Sequence, residues 1–442
     1  METQQNNVPQ TLTSFYAHAW EDLLSNCTRC GKCVEVCPVV PFDATLAAAQ
    51  PVDVVTGVLD FMKDSSQPMR EDSALWTYQC NGCDECIPAC PVDINPRRML
   101  MLANAEVSAK THPTPHMFQK MARAIRILVS MQLVPEDAAR LLKLKKPKDV
   151  DVVFFTGCNP VRTPQLLFNA MSVLEALGVN YEVMGGPASC CGVIHSKWEG
   201  DLQRGGKVSE QTLHRFGTFN PKTVLNWCPS CSIHLTETIK DYRSVSFDFD
   251  HITKFLIERE DELHKLFTTP VNMRVVVHTH HGMHDVGQNV MRLMRAIPGL
   301  TIVDEIEEPG YMCGVSSAER APALKEQVRA QTIARCKQDD VDALVSLYHA
   351  CHRQLASDGK THGFQVLNYA DLLVRALGME PYADTLEQFR GRTDYREMVR
   401  EAAPLLEANG IDMDPDELAR VLPEIFAMAE WRGGLCSFSP EE

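Results

Sequence analysis

Cys27, Cys30, Cys33 and Cys37 follow one another at gaps of two, two and three residues and are followed by Pro38. The same run returns at Cys80, Cys83, Cys86 and Cys90 and is followed by Pro91. Three thiolates two residues apart can converge from one tight loop on a four-iron cubane, while the fourth ligates the other cluster of a pair. The spacing therefore predicts two [4Fe-4S] clusters, one on Cys27, Cys30, Cys33 and Cys90, the second on Cys80, Cys83, Cys86 and Cys37. Zinc sites draw on pairs rather than quartets, and a disulfide framework needs an oxidising compartment.

The rest of the composition narrows the setting. A net charge of −15 argues against nucleic acid as a partner, which calls for a basic face, and suits a partner with a basic docking surface. The first ten residues are polar, without the basic start and apolar stretch of a signal peptide. No apolar run approaches the roughly 18 residues of a membrane-spanning helix. An odd count of 17 cysteines in an unexported chain points to the reducing cytoplasm. Work at the inner membrane would then be peripheral, through an anchoring partner.

The expected fold is α+β overall, in four parts. Residues 1–145 read as a helical two-cluster region, with helices over 44–50, 51–62, 97–109 and 117–133. Met117, Met121, Ile125, Leu128 and Val129 fall at helical spacing with basic residues between them, and this helix is expected to pack on the cluster region. After the charged, Pro-interrupted stretch 144–149, strands and helices alternate, which implies βαβ units and parallel sheets. Residues 150–260 and 270–378 form two such repeats. Residues 380–442 read as a helical tail, with Asp414 capping a helix that begins at Pro415.

Five more cysteines follow the strands of the first repeat. Cys158 ends the first strand, Cys190 and Cys191 lie after the second, and Cys228 and Cys231 after the third. Between Cys158 and Cys190 stand 31 residues, and 36 between Cys191 and Cys228. All five are thus expected at carboxyl ends of parallel strands, where open α/β sheets gather functional groups. Neighbouring side chains diverge, so the Cys190–Cys191 pair suits an extended cluster better than an ordinary cubane.

This second pattern resembles the cysteine-rich CCG domain of heterodisulfide reductase catalytic subunits. The same domain occurs in the iron–sulfur subunits of glycolate oxidase and anaerobic glycerol-3-phosphate dehydrogenase. The N-terminal region resembles the two-cluster electron-transfer subunit of heterodisulfide reductase, so the chain looks like a fusion of the two. The resemblance covers about residues 20 to 355. It implies that Cys158, Cys190, Cys191, Cys228 and Cys231 hold a non-cubane four-iron cluster that carries out disulfide and thiol redox chemistry.

The chain departs from the reductase in its second repeat. A shift of 122 residues sets His280 against Cys158, Met312 against Cys190 and Cys313 against Cys191. A shift of 120 sets Tyr348 against Cys228 and Cys351 against Cys231. Three of five thiolates are gone. Three readings of His280, His281, Cys313 and Cys351 stay open: a zinc or iron site, a proton-carrying or substrate-binding crevice, or a decayed site. His195 and His234 are candidate proton donors for a released thiolate. Cys336 and Cys436 match no motif.

No glycine-rich nucleotide fingerprint follows any strand, so two-electron chemistry is expected on a flavoprotein partner in a multi-subunit complex. Two roles are weighed: disulfide or thiol redox at the third cluster, and a relay between a flavin dehydrogenase and a quinone-reactive membrane protein or another carrier.

Overall fold

The computed structural model describes residues 11–111, 117–197, 199–239, 245–280, 284–308, 320–338 and 340–430. The α+β expectation holds: a helical N-terminal region, two sheets of four parallel strands, and helices at the C-terminal end. The first sheet contains β1 (Val152–Gly157), β2 (Tyr181–Gly185), β3 (Thr223–Asn226) and β4 (Asp248–His251), in the order β2-β1-β3-β4. The second contains β5 (Met273–His280), β6 (Leu300–Glu308), β7 (Ala343–Ser346) and β8 (Gln365–Asn368), in the order β6-β5-β7-β8. The identical order makes the internal repeat a structural one.

β4 and β8 escape the sequence reading. Both are four-residue edge strands whose outer residues are exposed or half-buried, so neither shows the unbroken apolar run that marks a strand covered on both faces. β1 is such a run. All six of its residues are buried, and their side chains alternate between two cores. Val153 and Phe155 pack with Tyr16, Val58, Trp76 and Phe216 of the helical side. Val152 and Phe154 pack in the core that also contains Val275, Val277 and Val345 of the second sheet. The first sheet is therefore the middle layer, between the N-terminal helices and the second repeat.

The helix Met117–Gln132 does not pack on the cluster region as expected. One stripe, Met121, Ile125 and Val129, enters the core of the two sheets. The other, Ala124, Ile127, Leu128 and Met131, packs with Leu386, Phe389, Met398, Leu422 and Ile425 of the tail. The basic residues between the stripes face the tail as well: Arg126 donates to Gly410 O at 3.3 Å, and Arg123 lies 3.6 Å from Glu417. The tail helix Pro415–Glu430 starts as expected, with Asp414 accepting from the N–H groups of Asp416 and Glu417 at 3.0 Å each.

Side chains also tie the repeats together. Asn169 donates to the buried Asp371 at 2.6 Å, Trp227 stacks on Tyr369 with centroids 5.8 Å apart, and His251 meets the Tyr348 ring edge-on at 5.9 Å. These contacts bring the carboxyl ends of β3, β4 and β7 face to face.

Leu128 is fully buried between this helix and the tail. Leu128→Ala should cost about 2–5 kcal/mol, the range for a buried leucine truncated to a cavity. Denaturant unfolding would measure the loss, and limited proteolysis should show earlier cleavage in the tail.

Candidate metal centres

The two N-terminal cysteine loops share one backbone device. In the first, Arg29 and Gly31, the second and fourth residues after Cys27, have φ of +58° and +79°. In the other, Gly82 and Asp84 stand at the same offsets from Cys80, with φ of +79° and +67°. Left-handed residues between the cysteines coil each loop tightly enough to turn three thiols toward one centre. Gly31 is required for a second reason: a Cβ there would sit 2.8 Å from the backbone of Pro51 and Val52, where the helix Pro51–Lys63 presses on the loop. At Asp84 the cost of a left-handed non-glycine residue is offset by Arg97, which donates to Gly82 O at 2.9 Å and lies 3.6 Å from the Asp84 carboxylate.

The fourth thiol of each run crosses over. Cys90 lines one cavity with Cys27, Cys30 and Cys33. Burial pushes the Cys33 thiol up to about 12, with Cys27, Cys30 and Cys90 adding like-charge repulsion. Cys37 stands instead with the second loop. Cys83 and Cys86 are raised first by burial and then by each other's neighbours, Cys37 and Cys80 among them. Thiolates crowded and buried in this way are disfavoured as bare anions, and a cationic cluster core is the group that such a donor set suits.

The third set lies at the carboxyl ends of β1, β2 and β3. The β1–β2 ladder slips between Phe155 and Gly157, a bulge of the kind that re-aims a strand end, and Cys158 follows it. Gly157 has φ +78°, and a Cβ there would lie 3.1 Å from both Cys228 Cβ and Cys231 Sγ. Cys231 Sγ donates to Cys191 Sγ at 3.3 Å, and the Gly192 N–H donates to Cys190 Sγ at 3.4 Å. Bonds from Cys190 and Cys231 hold the Cys191 thiol down at about 6. Its neighbour Cys158 is held well above the usual thiol range by its bond with Cys190 and by burial. Cys228 is lowered too, first by its bond with Cys231, so the five sulfurs converge along one chain of thiol contacts from Cys158 to Cys228.

The adjacent cysteines are fixed from behind. Ser209 donates to Cys191 O and Thr212 to Cys190 O, both at 2.7 Å. Ser209 Oγ also lies 3.0 Å from His234 Nε2. Burial holds His234 at about 4, so its imidazole is neutral at pH 7 and braces the loop. His195, also buried, pairs with the buried Glu199 at 2.6 Å and packs its ring on Phe118 at 4.6 Å.

The second repeat gathers less. His281 and Cys313 lie outside the described residues, as do Cys436 and the side chain of His280. Cys351 and Cys336 are buried. His278 is buried and held at about 4 by that burial. His352 points to the tail, 3.2 Å from Asp384, which also accepts from Arg390 at 2.6 Å. Among the described residues no three His, Cys, Asp or Glu side chains close on a single metal ion. Thiols shared over the several irons of a cluster would stand wider apart than the ligands of one ion. Three charged residues near the thiols had no motif to announce them: Lys197, Arg162 and Arg353. Each stands within six residues of a cysteine, which is the signal a sequence search could have used.

Residues 23–94 match the 4Fe-4S dicluster domain, and residues 152–236 match the cysteine-rich CCG domain. The chain is thus similar to heterodisulfide reductase-type iron–sulfur proteins that carry a CCG domain. One relative is a component of the dihydromethanophenazine:CoB–CoM heterodisulfide reductase of Methanosarcina mazei, 23% identical over 81% of this chain and 95% of that one. A component of the fumarate reductase (CoM/CoB) of Methanothermobacter marburgensis is 22% identical over 79% of this chain and 72% of its own. The probable glycolate oxidase iron–sulfur subunit of Bacillus subtilis is 22% identical over 85% of this chain and 99% of its own. Among the described residues no helix is long and apolar enough to cross a membrane.

The glycine at the end of β1 tests the third site. Gly157→Ala should push Cys228 and Cys231 out of register and lower bound iron by about a third, taking four irons per cluster. Iron and sulfide quantitation on anaerobically purified protein would measure it, and a full iron content would count against the close approach described here.

Proposed function

We propose that this chain, an iron–sulfur electron-transfer protein related to heterodisulfide reductase and glycolate oxidase subunits, carries electrons from a flavoprotein partner to a disulfide. Cys27, Cys30, Cys33 and Cys90 would hold the first [4Fe-4S] cluster, and Cys37, Cys80, Cys83 and Cys86 the second. Cys158, Cys190, Cys191, Cys228 and Cys231 would hold a non-cubane cluster. Bound clusters of this kind supply one-electron transfer.

The observation that carries this reading is the order of the three thiol sets. The first set opens to the surface through the exposed Cys30. Cys37 of the second set packs against both large cores. Cys80 of that set is within electrostatic reach of Lys197, on the short helix Val193–Lys197 that follows Cys191. A surface-to-interior sequence of this kind suits a path from a docked donor to a buried reaction site.

Reducing a disulfide takes two electrons and two protons and releases two thiols. Of the two histidine candidates, His195 is the better placed to hand on a proton, because it pairs with the carboxylate of Glu199 whereas His234 is engaged with Ser209 behind the loop. In the reverse direction the same groups would accept the protons of a dithiol.

The second reading, a relay to a quinone-reactive membrane protein or another carrier, is favoured by the loss of three thiolates from the second repeat. Its similarity to a glycolate oxidase iron–sulfur subunit points the same way. Redox titration followed by electron paramagnetic resonance separates the two. About twelve irons and an oxidised-state signal altered by added thiols support disulfide chemistry; a third signal blind to thiols supports the relay. Cys191→Ala should abolish the third signal and spare the other two. Loss of the cubane signals in that variant would overturn the assignment of Cys191.

A further inference from the structure

Arg162 and Arg353 are almost completely buried, at 1% and 2% exposure. They come from different repeats. Arg162 ends the short turn Pro160–Arg162, which begins two residues after Cys158 and leads into the helix Pro164–Ala176. Arg353 lies in the first turns of the helix His349–His362, after β7. Under the 120-residue shift, Tyr348 and Cys351 of that turn stand where the first repeat has Cys228 and Cys231. The stacking of Trp227 on Tyr369 and the edge-on contact of His251 with Tyr348 set the start of this helix opposite the ends of β3 and β4.

Arg162 is within electrostatic reach of Cys158, and Arg353 of Cys228. Both also act on the buried His349, which is pushed well below the usual imidazole range by its burial and then by Arg353 and Arg162. Each buried cation bears a desolvation cost, and a centre of net negative charge beside it offsets that cost. Five thiolates on a four-iron core of two positive charges leave about three negative charges, an excess that cations in a low-dielectric site offset strongly.

We propose that Arg162 and Arg353 are the charge partners of the CCG cluster, with the second repeat supplying a cation over the first repeat's thiolates in place of a second cluster. The inference rests on the assignment of the five cysteines to that cluster. Its consequence is electrical. An electron added to an already negative centre is accepted more readily beside two fixed positive charges, so the arginines raise the reduction potential of that cluster alone.

The test uses the full chain, purified anaerobically, as the native protein and as Arg162→Gln, Arg353→Gln and Arg353→Lys. Potentials come from redox titration followed by electron paramagnetic resonance, with iron counted in parallel. In both glutamine variants the third signal should titrate at a more negative potential while the two cubane signals stay in place. Arg353→Lys should stay near the native value. Loss of the third cluster in Arg353→Gln but not in Arg353→Lys would also support the inference, because charge is then what the thiolates need. An unmoved third potential at full iron content would overturn it. So would an equal shift of all three signals, or loss of the cluster in the lysine variant too. About twelve irons with an unmoved potential would sink this inference alone, whereas about eight in the native chain would remove the cluster assignment together with it.

Discussion

Bringing thiolates together inside a protein is a problem of like charge in a poor dielectric, and the architecture is arranged around it. Thirteen cysteines of this chain occupy three sets, and in each set burial works against the bare thiolate, although neighbouring thiols hold Cys191 and Cys228 down. Such donors become good ligands only against a strongly positive core. Each set is accordingly carried on backbone that fixes sulfur positions before any metal arrives: left-handed residues in the first two, and the β1 bulge with Gly157 in the third. The serine, threonine and histidine behind Cys190 and Cys191 serve the same end, since they hold carbonyls rather than sulfurs.

A second constraint is the double burial of the first sheet. β1 has no solvent side, so its two faces weld the cluster-bearing helices to one side and the second repeat to the other. The second repeat thus has a packing role whatever its thiols do. It supplies half of the apolar cover for the sheet that positions Cys158, Cys190, Cys191, Cys228 and Cys231, and it presents buried arginine and histidine side chains to that site.

The legible parts of the sequence were those with a strict period or spacing. The cysteine runs marked where thiols gather, and β1, β3, β5 and β7 stood out as apolar runs because both faces are covered. What escaped had weaker local character. β4 and β8 are short edge strands with polar faces. The helix Met117–Gln132 showed its apolar stripe, but periodicity does not name a partner, and the tail that covers its second stripe lies some 260 residues further along the chain. Arg162 and Arg353 carried no local mark of their burial, which no pattern of neighbouring residues encodes. The second repeat left a metal site, a proton-carrying or substrate-binding crevice and a decayed site open, and its His352 turns to Asp384, a partner that the tail supplies.

That tail has a bearing on how the protein is made. Ribosomes release the cluster loops first, and Leu386, Phe389, Leu422 and Ile425 emerge last. Until they do, Ala124, Ile127, Leu128 and Met131 form a bare apolar strip on a helix already docked to the first sheet. A nascent chain thus exposes a sticky strip from the time its cysteine loops emerge until the tail follows, so any iron and sulfide loaded in that interval would compete with aggregation, and a chaperone covering the strip would favour loading.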